Sequence, residues 1–187
     1  MNKKTVALST EQYIEIIETM NKGFCGMRAN PRVATALVIE ANLGLRIGDI
    51  LKLRLSDIIK DGYRYRLDII EEKSGKPRTF TVPSPIYQYI ENYCLKNQIG
   101  KNDLIFPISV RTAQSILKMT CDYLGYENIS THSFRKFYAT EIYRANGHDI
   151  TLVQHLLQHS SPFVTQRYIG VDTEQVENAI LNHMKLL

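Results

Sequence analysis

With 187 residues, 44% of them hydrophobic and 22% charged, and neither repeats nor low-complexity tracts, the chain suits one well-buried domain and excludes disordered and fibrous classes. A net charge of +4 permits a polyanionic partner without demanding one, and three widely spaced cysteines, Cys25, Cys94 and Cys121, exclude a disulfide framework or a thiolate metal site. There is no membrane-length apolar run and no signal-peptide core, so a cytoplasmic protein without membrane contact is expected.

Ser9 and Gln12 make a capping box for a first helix whose Tyr13, Ile16, Ile17 and Met20 share one face before Gly23 ends it. Asn30 and Pro31 open a second, strongly apolar helix that ends where Gly44 can turn left-handed, and a short third helix is expected over residues 47–53. The period then changes. Tyr63, Tyr65, Leu67 and Ile69 alternate with Arg64, Arg66 and Asp68, which predicts a strand, and residues 79–82 read as its partner. Between them, Lys73-Ser74-Gly75-Lys76-Pro77 has turn chemistry, so a β-hairpin with lysines at its tip is expected. Ser84-Pro85 caps a helix carrying Ile86, Tyr89, Ile90 and Tyr93, and further helices are predicted over 109–124, 132–146, 149–157 and from about 172 to the end. The expected fold is a mostly helical α+β domain with one small antiparallel sheet.

Charge is unevenly spread. Residues 46–78 hold nine Lys or Arg against six acids, whereas residues 171–187 hold one Lys against three acids. The front and middle suit phosphate; the tail suits protein contact.

Four places carry candidate chemistry. Arg46 follows a helix stop in an apolar junction, where a guanidinium needs an anion, either a ligand or an internal partner such as Asp49. His132 and Arg135 are three apart at a helix start and can converge on one point. His155 and His159 are four apart, but no third ligand completes a metal site, so no metal is expected. Tyr168 lies nine residues after His159, in a polar stretch broken by Ser160, Ser161 and Pro162.

In this order, Gly44-Leu45-Arg46 with Asp49, a hairpin lysine, His132-x-x-Arg135, Leu156-Leu157-Gln158-His159 and Tyr168 resemble the catalytic domain of the tyrosine recombinases, the phage-integrase family, from about Ala7 to Ile180. The resemblance implies that Arg46 and Arg135 grip the non-bridging oxygens of a scissile phosphate in double-stranded DNA. It implies that Lys73, with Lys76 as the nearby alternative, protonates the departing 5′ oxygen. His132 would accept the nucleophile's proton or hold the phosphate, His159 would donate to the phosphate, and Asp49 would orient Arg46. Tyr168 would be the nucleophile, forming a 3′-phosphotyrosyl link, with neither cofactor nor metal. Gln158 stands where many members have glycine.

The resemblance also implies a homo-oligomer on DNA, a tetrameric synapse, with a monomer possible without DNA. The tail, residues 172–187, with Val176, Ala179, Ile180 and Leu187 along one face, would dock on a neighbouring subunit or fold back on its own core. Residues 1–187 are expected to be a single catalytic domain, without the N-terminal DNA-clamping domain usual in the family. Arg111, Lys118 and Lys136 are candidate DNA contacts. Two rival readings are a non-catalytic DNA-binding regulator that keeps the fold and a metal-dependent tyrosine relaxase.

Overall fold

The computed structural model describes residues 5–72, 75–159, 161–169 and 181, and the chain divides into two compact units, 1–138 and 139–187. Lys73, Ser160 and the tail positions Val176, Ala179, Ile180 and Leu187 lie outside the described residues.

The first unit begins with α1 (Thr10–Lys22), closed at its start by the reciprocal Ser9 and Gln12 hydrogen bonds. Next is α2 (Pro31–Leu43), whose Asn30 side chain accepts from the Val33 amide. It is buried on almost every side and ends at Gly44, which is left-handed at φ 61°. The short helix α3 (Ile47–Ile50) stops earlier than the apolar pattern suggests, because Leu51 and Lys52 already turn the chain.

The sheet is antiparallel in the order β1 (Ile58–Asp61), β2 (Arg64–Ile70), β3 (Pro77–Val82), with Leu67 opposite both Ile58 and Phe80. Alternation along β2 puts Leu67 fully inside, half-buries Tyr65 and Ile69, and leaves Arg64 and Asp68 outside. β1 goes beyond the expected hairpin. Its burial lacks a two-residue period, and the signal for it is the Asp61-Gly62 turn, with Gly62 at φ 62°.

Helices α4 (Ser84–Lys96) and α5 (Val110–Leu124) complete this unit together with the first half of α6 (Thr131–Ala145). The core runs from Leu8 through Ile16, Leu37, Ile50, Leu67, Ile90 and Phe106 to Phe134, all buried. Burying one such side chain is worth about 1.5–3 kcal/mol.

Within the second unit, α7 (Ile150–Leu157) starts on Asp149, whose carboxylate accepts from the Thr151 and Leu152 amides. It is followed by α8 (Pro162–Ile169), which begins within the polar break itself. Pro162 is pre-set for the first helical position, and Ser161 acts as the cap: its hydroxyl accepts from the Val164 amide and its carbonyl from the Thr165 amide. Tyr168 therefore rides on a helix.

Candidate active site

Arg46 is the residue just before α3 and keeps a quarter of its side chain exposed. Its Nη1 stands 2.7 Å from Glu71 Oε2, a close charge contact whose angle falls outside hydrogen-bond geometry. The other carboxylate oxygen, Glu71 Oε1, accepts from Arg78 Nη1 at 2.8 Å. Glu71 and Arg78 are nearly fully buried, at 3% and 2% side-chain exposure, and the Arg78 guanidinium lies 3.8 Å above the Phe80 ring. Burial pulls the Arg78 guanidinium below its ordinary pKa, and the hydrogen bond to Glu71 opposes that.

The carboxylate paired with Arg46 is thus Glu71, in place of the expected Asp49. The buried Asp49 instead accepts the Glu72 amide at 2.9 Å and so ties α3 to the end of β2. The Glu71 amide donates to the Lys76 carbonyl, and the left-handed Gly75 donates its amide to the Glu71 carbonyl.

His132 and Arg135 lie on the first turns of α6, and their surroundings differ. His132 is exposed, whereas Arg135 is 1% exposed and donates from Nη1 to the Gly44 carbonyl at 2.5 Å. That bond fixes Arg135 to the end of α2, two residues before Arg46. Glu40, also on α2, is fully buried, and neither of its carboxylate oxygens finds a hydrogen-bond partner among the described residues. Burial pushes its pKa well above the ordinary value, against the pull of Arg135 and the Ile47 amide. Burial likewise raises the Tyr138 phenol, while the charges of Arg78 and Arg135 draw it down. Four charged side chains, Arg46, Glu71, Arg78 and Arg135, thus surround the junction of α2 and α3.

In the second unit, α7 ends at Gln158, which takes the left-handed conformation (φ 51°, ψ 42°) that a glycine would adopt without strain. His159 is then pinned from both sides: its amide donates to the Gln154 carbonyl, and its carbonyl accepts from Gln154 Nε2. Its ring Nδ1 is 3.0 Å from the hydroxyl of the buried Thr165, and its ring meets that of Tyr168 edge-on at 5.0 Å and 75°. The Tyr168 hydroxyl oxygen is shielded from solvent. One turn of α8 between Thr165 and Tyr168 places both against His159.

The remaining candidates are more scattered. Arg111 is exposed at the start of α5, Lys118 pairs with Asp122 at 2.6 Å, and the half-buried Lys136 donates its ammonium to the Thr5 carbonyl. His155 is exposed on α7, and no group of three or more metal-ligating side chains forms among the described residues. No described helix is long and apolar enough to cross a membrane.

Glu71, Arg78 and Glu40 were not among the sequence candidates, although a signal existed for two of them. Arg78 shares the inward phase of Phe80 and Val82, and Glu40 shares the inward face of Val33, Ala36 and Leu37. A charge in an apolar phase announces a buried partner or a shifted pKa.

The sequence matches the phage integrase family over residues 7–175. It is 31% identical over 160 residues to a probable integrase/recombinase, YoeC, of Bacillus subtilis, covering 82% of this chain and 85% of that protein. It is 27% identical over 184 residues to the tyrosine recombinase XerA of Pyrococcus furiosus, covering 93% of this chain and 60% of that protein. The fold matches XerH site-specific recombinase, solved bound to a palindromic difH substrate in a post-cleavage complex, with a TM-score of 0.74 at 21% identity, over 96% of this chain and 53% of that one. This chain thus spans between about two fifths and two thirds of the length of the Xer proteins it matches, from 42% of one XerC to 66% of a solved XerA. With the family matched over nearly all of the chain, the helical fold with its three-stranded sheet belongs to the phage integrase family and is that of a tyrosine recombinase catalytic domain.

Proposed function

We propose that this chain acts as the catalytic domain of a site-specific recombinase that cuts and rejoins double-stranded DNA through a tyrosine. Tyr168 Oη attacks the scissile phosphorus and forms a 3′-phosphotyrosyl bond while the bond to the 5′ oxygen breaks. The phenol proton passes to His132, and the departing 5′ oxygen takes a proton from Lys73. Arg46 and Arg135 stabilise the charge that builds on the non-bridging oxygens, and His159 donates a hydrogen bond to the same phosphate. Attack by a 5′-hydroxyl reverses the step with the bond energy conserved, so the cycle needs no nucleotide.

The observation that carries this reading is the Thr165, His159 and Tyr168 cluster, which holds the tyrosine ring against the histidine that the motif pairs with it. A free phenol, with a pKa near 10, is only about 0.1% ionised at neutral pH, so cations and a proton acceptor are needed for attack. Arg111 and Lys118 are proposed contacts to the DNA backbone, with Lys136 shaping the N-terminal side of α6. The working form on DNA is a homo-oligomer, and the site of action is the compartment that holds the DNA.

The test is covalent trapping on a nicked suicide duplex. Tyr168→Phe should abolish the SDS-resistant adduct while binding the duplex with nearly unchanged affinity. An adduct formed by that variant would remove Tyr168 from its role.

A further inference from the structure

The recombinase reading uses Arg46 but leaves unexplained why a buried carboxylate stands against it. Glu71 follows β2 directly. Its two oxygens are divided between two arginines, Arg46 at 2.7 Å and Arg78 at 2.8 Å. Its backbone amide donates to the Lys76 carbonyl at 3.0 Å, and its carbonyl accepts from the Gly75 amide at 2.8 Å. One residue on, the Glu72 amide is held by Asp49, three residues from Arg46 on α3.

The charges favour a positioning role. A single carboxylate facing Arg46 alone would neutralise it and compete with a phosphate for its donors. Here two guanidinium groups share one carboxylate, so the cluster stays net positive. Arg78, sealed at 2% exposure and stacked on Phe80, is the fixed member, and Arg46, a quarter exposed, is the member that can still meet a ligand. The pair is barely screened by water, so it sets direction more firmly than a surface ion pair would.

We propose that Glu71 is a positioning residue that fixes the Arg46 guanidinium against the end of β2, with Arg78 as the counter-charge that keeps the carboxylate from neutralising Arg46. This rests on the recombinase reading of Arg46. It ties the aim of the phosphate-binding arginine to the end of β2 and to the buried Arg78.

The experiment is a double-mutant cycle on the full chain, read as the single-turnover rate of adduct formation on a suicide duplex, with duplex affinity and melting temperature measured alongside. Glu71→Gln in the otherwise unchanged protein should slow adduct formation by about 10- to 100-fold, the cost of a misplaced catalytic group, while affinity changes little. In an Arg46→Lys background, which already lacks the fork that Glu71 aims, the same change should cost less than about 3-fold, because coupled residues do not add. A second substrate with sulfur in place of the bridging 5′ oxygen leaves without protonation, and the loss through Arg46 should persist on it.

An unchanged rate in Glu71→Gln overturns the proposal, and so does an equal loss in both backgrounds, which would mark Glu71 as a general prop of the fold. If Glu71→Gln does not fold, Glu71→Asp, which keeps the charge but is too short to span both arginines, goes through the same cycle with the same expected non-additivity. Failure of the parent reading would look different: the unsubstituted protein would form no adduct at all, or Tyr168→Phe would still form one.

Discussion

Replacing Glu40 by glutamine should make folding stability less sensitive to pH. Glu40 is fully buried on α2, both carboxylate oxygens lack hydrogen-bond partners among the described residues, and burial outweighs Arg135 and the Ile47 amide in setting its proton affinity. Its folded pKa is therefore raised above the ordinary value of 4.5. A raised acid binds its proton more tightly when folded. Its contribution is fully present below about pH 4.5 and is lost as pH rises through the folded pKa. Across that window the wild-type protein loses about 1.4 kcal/mol per pH unit from this one group, and a glutamine of the same shape loses none. At the acid end the two proteins should be nearly equally stable. Toward neutrality the variant should gain steadily and then level off above the folded pKa of Glu40. Urea denaturation of both proteins at half-unit steps from pH 4.5 to 8 measures the difference directly. A flat difference, or one that shrinks as pH rises, would mean that Arg135 holds Glu40 ionised and that the balance drawn between burial and charge is wrong.

Gly44→Ala should cost about 2–5 kcal/mol and lower the melting temperature by about 5–15 °C, since its φ of 61° disfavours a side chain and a new Cβ would lie 2.4 Å from the Tyr138 ring. A shift under about 2 °C would show that the end of α2 yields freely. Gln158→Gly should stabilise by about 1 kcal/mol, because the left-handed φ of 51° carries a strain that glycine does not feel, and calorimetry would show a rise of about 2–4 °C. On the proposed mechanism Arg135→Ala should slow cleavage far more than it weakens binding, because the phosphate charge assigned to it builds mainly in the transition state; wild-type cleavage in that variant would refute the role. Chelation with EDTA should leave the adduct-forming rate unchanged, and a tenfold loss would favour the metal-dependent relaxase reading.

Local signals were enough for most of the helices. The Ser9 and Gln12 box, Asn30-Pro31, Gly44, Ser109 and Asp149 each sit where a helix begins or ends, because caps depend only on neighbours within a turn. The alternation over Tyr65, Leu67 and Ile69 marked β2 for the same reason, since a sheet with one wet face writes its period into the chain. The order of Arg46, His132, Arg135, His159 and Tyr168 pointed to the family, which the match over residues 7–175 bears out.

Other features were decided by contacts between distant residues. Nothing near Arg46 in the chain announces that its carboxylate is Glu71 and not Asp49, because that pairing depends on where β2 ends against α3. The burial of Arg135 against the Gly44 carbonyl, ninety-one residues away, depends on α6 packing at the end of α2. Helix α8 was hidden because Ser161-Pro162 reads equally as a break or as a cap and first turn, and only the continuing hydrogen bonds to Val164 and Thr165 distinguish them. Caps and periods are short-range properties of the chain, whereas the partner of a buried charge is chosen by whatever the fold brings to it, at separations no local pattern encodes.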